Sequence, residues 1–210
     1  MNKNIITKSL SRSMNYQEYF DLIQRYSKEG KTSGIEQSEN RISISKLNAS
    51  RMRRLEKTVR LNESAIADLS KIKKSQTWLV IIESWCADGA QTIPVLNKIA
   101  EATDAIQLRI VFRDEETMLM DAFLTNGTRS IPKLIIVDEE EDLLSSWGPR
   151  SVAATELVVA YKEKHNKIDA AFKEQLQVWY FENKGLAIVE ELLAVIQDIE
   201  LNDKKKSLML

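Results

Sequence analysis

The chain has 210 residues, 43% of them hydrophobic, with 30 basic and 31 acidic side chains. That length and apolar fraction fit one globular domain with extensions, or a domain plus a small helical module. A net charge of -1 gives no bias toward nucleic acid or an anionic membrane, no apolar run spans a bilayer, and a single cysteine excludes an intramolecular disulfide. The segment from Met1 to Lys8 has a basic residue but no long apolar run, so no signal peptide is expected. The expected compartment is the cytosol, with the thiol reduced.

The first 74 residues read as helices and polar loops. Tyr16, Tyr19, Phe20, Ile23 and Tyr26 recur every three or four positions and give a helix an aromatic face. Gly30-Lys31-Thr32-Ser33-Gly34 ends that helix and opens a polar connection to about Glu39. A second helix is expected from Leu47 to Leu61, with Leu47, Met52, Leu55 and Val59 facing a core. Ser64 is the expected cap of a third, carrying Ile66, Leu69 and Ile72. From Thr77 the period changes. Strand-like runs at 77–83, 107–112 and 133–138 alternate with helical patterns at 90–102 and 115–125, and a short strand follows at 143–147. This βαβ then αββα order predicts an α/β fold, a mixed and mainly four-stranded sheet flanked by helices. Helical patterns then cover 152–164, 168–182 and 186–200, the last with Leu186, Val189, Leu192, Leu193 and Ile196 on one face. The expected organisation is a helical extension (1–74), an α/β core (75–163), C-terminal helices (164–201) and a frayed tail (202–210).

Two stretches carry chemistry. Glu83-Ser84-Trp85-Cys86-Ala87-Asp88-Gly89 places a thiol where a strand turns into a helix, and Gly127-Thr128-Arg129-Ser130-Ile131-Pro132 is a loop before the next apolar run. At a helix start, unpaired N–H groups and the helix dipole favour thiolate, the nucleophilic form. Asp88 opposes it by charge, and a buried, space-filling Cys86 is the alternative. Other features are weaker. Gly30-Lys31-Thr32 lacks the earlier glycine of a phosphate loop, since position 25 is Arg25. The basic run Arg51, Arg53, Arg54, Lys57 and Arg60 contains Glu56 and no aromatics, and reads as a solvated face. His165 reads as a surface residue, and the acidic run from Asp138 to Asp142 as a solvated turn. No metal site or cofactor is expected.

These stretches resemble the thioredoxin-fold family. Trp85-Cys86 stands at its Trp-Cys-x-x-Cys motif, Pro94 at its helix proline eight residues after the first Cys, and Pro132 at its cis-proline. The resemblance covers roughly residues 75 to 160. The chain is similar in particular to a bacterial thioredoxin-like branch with an N-terminal helical extension. The shared residues are Leu47 to Met52, Trp85 to Gln91, Arg113-Asp114 and Trp147-Gly148-Pro149-Arg150. The resemblance implies that Cys86 is the active-site thiol, that Pro132 lies against it, and that Ile131 pairs with an extended peptide. Trp85, Asp88 and Arg129 complete the expected substrate-binding set, with Lys133 beside the loop as a second cation for an acidic ligand. The chain departs from the pattern where the second sulfur belongs, which is Gly89, and six residues before the Cys, where the proton-transfer carboxylate is replaced by Val80. General disulfide reduction is therefore disfavoured. The expected function is a cytosolic monothiol protein forming mixed disulfides with a small thiol or a thiol-containing protein, with no nucleic acid or membrane partner. The alternative is a non-catalytic binding module using the groove beside Pro132. An accessible, acidic thiol favours the first, and a buried thiol the second.

Overall fold

The computed structural model describes residues 2–207. The strands are β1 (Gln76–Ile82), β2 (Ile106–Phe112), β3 (Lys133–Val137) and β4 (Leu143–Trp147), in the order β2-β1-β3-β4. β2 runs parallel to β1, while β3 and β4 are antiparallel neighbours on the other side. This is an α/β thioredoxin-like fold. Trp78, Leu79, Val80, Ile81 and Ile82 are all fully buried. A strand buried without alternation is one covered on both faces, and each such side chain contributes about 1.5–3 kcal/mol.

The N-terminal residues form α1 (Asn2–Leu10), α2 (Tyr16–Glu29), α3 (Glu39–Thr58) and α4 (Glu63–Leu69). Asn15 and Glu18 cap α2 reciprocally, and Gly30 closes it at φ 65°. Tyr16, Tyr19 and Ile23 are buried, with the Tyr19 ring 6.1 Å from that of Phe112. Phe20 and Tyr26 are half-buried. α3 begins eight residues before the expected Leu47, capped by Ser38. It packs along α5 (Ala87–Glu101) through Met52 and Leu55, whereas Leu47 is 52% exposed and does not join the core. Asn62, not Ser64, caps α4, which buries Leu69 and leaves Ile66 largely exposed. α1 was not expected, because its periodicity rests on little more than Ile5 and Ile6. Tertiary contacts hold it: Ile6 and Ser9 are buried, and Ser9 and Arg12 both reach Glu116 beside α6 (Thr117–Ala122). Met14 exchanges two backbone hydrogen bonds with Ile110 and blunts the free edge of β2.

The C-terminal residues form α7 (Val152–His165), α8 (Ala170–Asn183) and α9 (Leu186–Ser207). α9 packs on α4, α5 and β4 through Val189, Leu192, Ile196 and Ile199, while Leu186 is half-exposed. α9 continues to Ser207 instead of loosening at Asn202; the last three residues of the expected tail lie outside the described ones.

One cluster of buried apolar residues takes in side chains from α1–α5, the sheet, α8 and α9. We propose that the N-terminal helices and the sheet form one cooperative unit. Met52→Ala should then cost about 2–5 kcal/mol in urea unfolding. Leu47→Ala should stay within about 0.5 kcal/mol, and removal of residues 1–74 should abolish cooperative unfolding. A soluble, equally stable truncated protein would show the extension to be separable.

Candidate functional site

β1 delivers Glu83 to Cys86 to the end of the sheet, where the chain turns into α5. Cys86 is the N-cap residue of α5, and its sulfur accepts the Gly89 N–H at 3.3 Å. The thiol in turn donates to the carbonyl of Ile131 at 3.3 Å. The Ile131–Pro132 peptide bond is cis. Behind it stands Gly148, at φ 108°; a Cβ there would lie 2.4 Å from the Pro132 carbonyl oxygen. Only glycine lets these two backbones approach so closely.

The sulfur is covered. Cys86 is 7% exposed, and its pKa is pushed up to about 12, first by burial and then by the Asp88 carboxylate. The Gly89 N–H and the Arg150 guanidinium act in the opposite direction with smaller effect. Asp88 is itself tied down. Arg150 pairs with one of its oxygens at 2.6 Å and the Tyr180 hydroxyl donates to the other at 3.0 Å. Tyr180 is held protonated by burial and by that carboxylate. The second turn of α5 is fastened to α8 through Gln91, whose amide donates to Gln177 at 2.9 Å.

Two guanidinium groups stand over the ring of the half-buried Trp85, Arg41 from α3 at 4.4 Å and Arg113 at 4.8 Å from the centroid. A knot of buried hydroxyls lies behind it. The Ser84 hydroxyl meets those of Thr32 (2.8 Å) and Ser45 (2.9 Å), its N–H donates to Ser33 Oγ (2.7 Å), and its carbonyl accepts from Asn48 Nδ2 (2.8 Å). Glu83 is 1% exposed, accepts from the Ser33 hydroxyl and the Asp114 N–H, and has its pKa raised mainly by burial. The turn expected to be a polar connection, Thr32-Ser33, is thus a buried fastening.

Of the expected site residues, Trp85, Cys86, Asp88, Ile131 and Pro132 converge on one end of the sheet. Arg129 does not join them. It is exposed and its guanidinium is occupied by Asp121 through two contacts of 2.6 Å. Lys133 is buried, with its ammonium 3.4 Å from Thr125 Oγ1. At Gly89, a Cβ would lie 2.1 Å from Ile82 Cδ1, so the core has grown into the space beside a second sulfur's position. Tyr180, Gln177, Asn48, Ser33 and Thr32 were missed. Their signal is three-dimensional, since they lie between 38 and 94 residues from Cys86.

A family model described as Thioredoxin matches residues 34–169. The chain belongs to the thioredoxin family. The match reaches back to Gly34, so α3 and α4 fall inside this family's span rather than before it, while α8 with Tyr180 falls beyond it. Among solved structures, an HIV epitope-scaffold aligns with TM-score 0.55 and 19% identity over 88% of this chain and 99% of its own. A protein of unknown function from Pseudomonas aeruginosa aligns with TM-score 0.53 and 20% identity, over 88% and 98%. At these identities the likeness concerns the fold alone. No curated protein matches the chain.

The raised thiol pKa has a consequence for stability. The unfolded thiol ionises near pH 8.5, while the folded one holds its proton to about 12. Between these values the unfolded state binds fewer protons, so stability falls as pH rises, by up to about 1.4 kcal/mol per unit. Buried tyrosines add their own slope above pH 10, and a Cys86→Ser variant removes only the thiol's share. The stability difference between wild type and this variant should therefore shrink from pH 8.5 to 10 in urea titrations. A constant difference would mean the folded thiol ionises normally.

Proposed function

We propose that this thioredoxin-family chain acts as a binding module at its thiol end rather than as a turnover disulfide oxidoreductase. The carrying observation is the covered, protonated Cys86, with its S–H bound to the Ile131 carbonyl. The thiolate is the attacking species, and a pKa of about 12 leaves about one molecule in 10⁵ ionised at pH 7. Two further features support this reading. Gly89 offers no resolving sulfur, and Val80 offers no carboxylate for proton transfer. Recognition would run through the Ile131 carbonyl: an extended partner that reached it would exchange the thiol's hydrogen bond for a backbone one. A reducing compartment suits an unpaired thiol. Among the described residues no helix is long and apolar enough to cross a membrane.

The second reading is a monothiol reaction, in which Cys86 attacks a low-molecular-weight or protein disulfide, forms the mixed disulfide and releases one thiolate. Its support is the Gly89 N–H on the sulfur and the nearby Arg150 charge, both of which stabilise a thiolate. In this reading Trp85, Asp88 and Pro132 shape the approach of that partner.

Glutathione disulfide separates the two. Native protein at pH 7 should become glutathionylated on the order of 10²–10³ times more slowly than urea-unfolded protein, judged by intact mass, because its thiolate is scarce. Insulin reduction should stay at the uncatalysed rate. Native glutathionylation as fast as that of the unfolded chain would favour the monothiol reading, and sustained insulin turnover would defeat both.

A further inference from the structure

Next to the thiol, and without Ile131 or Pro132 in its lining, α3, α7 and α8 enclose a cleft of about 520 Å³ over the first turn of α5. Its walls are apolar: Ile44, Leu47, Val158, Ile168, Phe172 and Leu176. Volume and lining fall within the usual range for a small-molecule site. The polar groups along the cleft are few and unbalanced. Arg150 pairs with Asp88, Arg51 adds a second guanidinium, Gln177 is neutral, and the exposed Lys173 and Glu174 offset one another in charge. Two guanidinium groups against one carboxylate leave one positive charge in excess.

The hydrogen bonds locate that excess. Both Asp88 oxygens are used, one by Arg150 and one by Tyr180. Arg150 Nε is buried without a hydrogen-bond partner among the described residues. Arg51 is half-buried and hydrogen-bonds only the neutral Asn48 side chain, at 2.8 Å, with no carboxylate paired to it among the described residues. Burial and the neighbouring Arg54 lower its pKa. A partly desolvated cation on an apolar wall is costly unless an anion meets it, and a guanidinium presents a fork that fits a carboxylate. The exposed half of Leu47 lies on the same wall and would be covered by an apolar tail.

We propose that this cleft binds a small amphipathic monocarboxylate of the medium-chain fatty-acid type, its head on Arg51 and its tail along Leu47, Phe172 and Leu176. A monoanion matches the single excess charge, whereas a phosphate dianion would exceed it. The apolar walls exclude a fully polar anion. This binding does not depend on the state of Cys86.

The test is a titration of ¹⁵N-labelled full-length protein with decanoate, below its micelle concentration, followed by amide chemical shifts. Saturable one-to-one shifts clustered at Leu47, Arg51, Phe172 and Leu176 are expected, with decanol binding more weakly. Arg51→Gln, checked for an unchanged fold by its spectrum, should bind decanoate about tenfold more weakly, the loss of one charge-assisted hydrogen bond. No saturable shifts, shifts clustered elsewhere, or decanol binding as tightly as decanoate to the wild-type chain would each overturn the proposal without any variant.

Discussion

Ser84 is bound on every polar side by residues between Thr32 and Asn48. Its hydroxyl meets Thr32 and Ser45, its N–H donates to Ser33, and its carbonyl accepts from Asn48. A turn leaving the central strand of a covered sheet has no water for its backbone groups, so each needs a protein partner. Here those partners come from residues 32 to 48, about forty to fifty positions earlier in the chain. The position of Cys86, two residues after Ser84, is therefore set by the Thr32–Asn48 segment as much as by the sheet. The same fastening brings Arg41 over Trp85 and lays α3 along α5.

That enclosure decides the chemistry of the thiol through competing magnitudes. A helix N-terminus favours a negative charge by about 2 kcal/mol at most. Raising the Cys86 pKa to about 12 from the ordinary value near 8.5 disfavours the thiolate by roughly 5 kcal/mol. Burial therefore outweighs the dipole, and Asp88 adds to burial. The Asp88–Arg150–Tyr180 cluster holds a negative charge close to the sulfur while satisfying it from α8 and the Arg150 loop. Cys86 stays against Ile131, and Gly148 lets its backbone close on that of Pro132. The space beside a resolving sulfur is taken by Ile82, and the position of the proton-transfer carboxylate by a buried Val80.

Much of the fold was legible because the sheet strands are short apolar runs separated by turn residues, and because Cys86, Pro94 and Pro132 stand at informative spacings. The convergence of Trp85, Cys86, Ile131 and Pro132 on one end of the sheet was legible for the same reason. The state of the thiol was not. Thr32 and Ser33 look like solvent-facing loop residues, yet they are buried because a distant serine needs them. Leu47 looks like a core residue by spacing, yet α3 places it on the rim of a cleft. Arg129 looks like a free cation in the loop, but Asp121, eight residues earlier, occupies it. α1 has almost no periodic signal and exists through its contacts with α6 and Glu116. In each case tertiary partners overrode a local pattern, which is where sequence reasoning has least to work with.

The central claim is that the fold keeps Cys86 protonated and out of reach, and thiol alkylation against pH on the native full-length chain tests it most directly. The account predicts slow iodoacetamide labelling at pH 7 that is still rising at pH 10, without a plateau, while the urea-unfolded chain titrates near the ordinary value of about 8.5. A native midpoint at or below that value, with rapid labelling at pH 7, would contradict it.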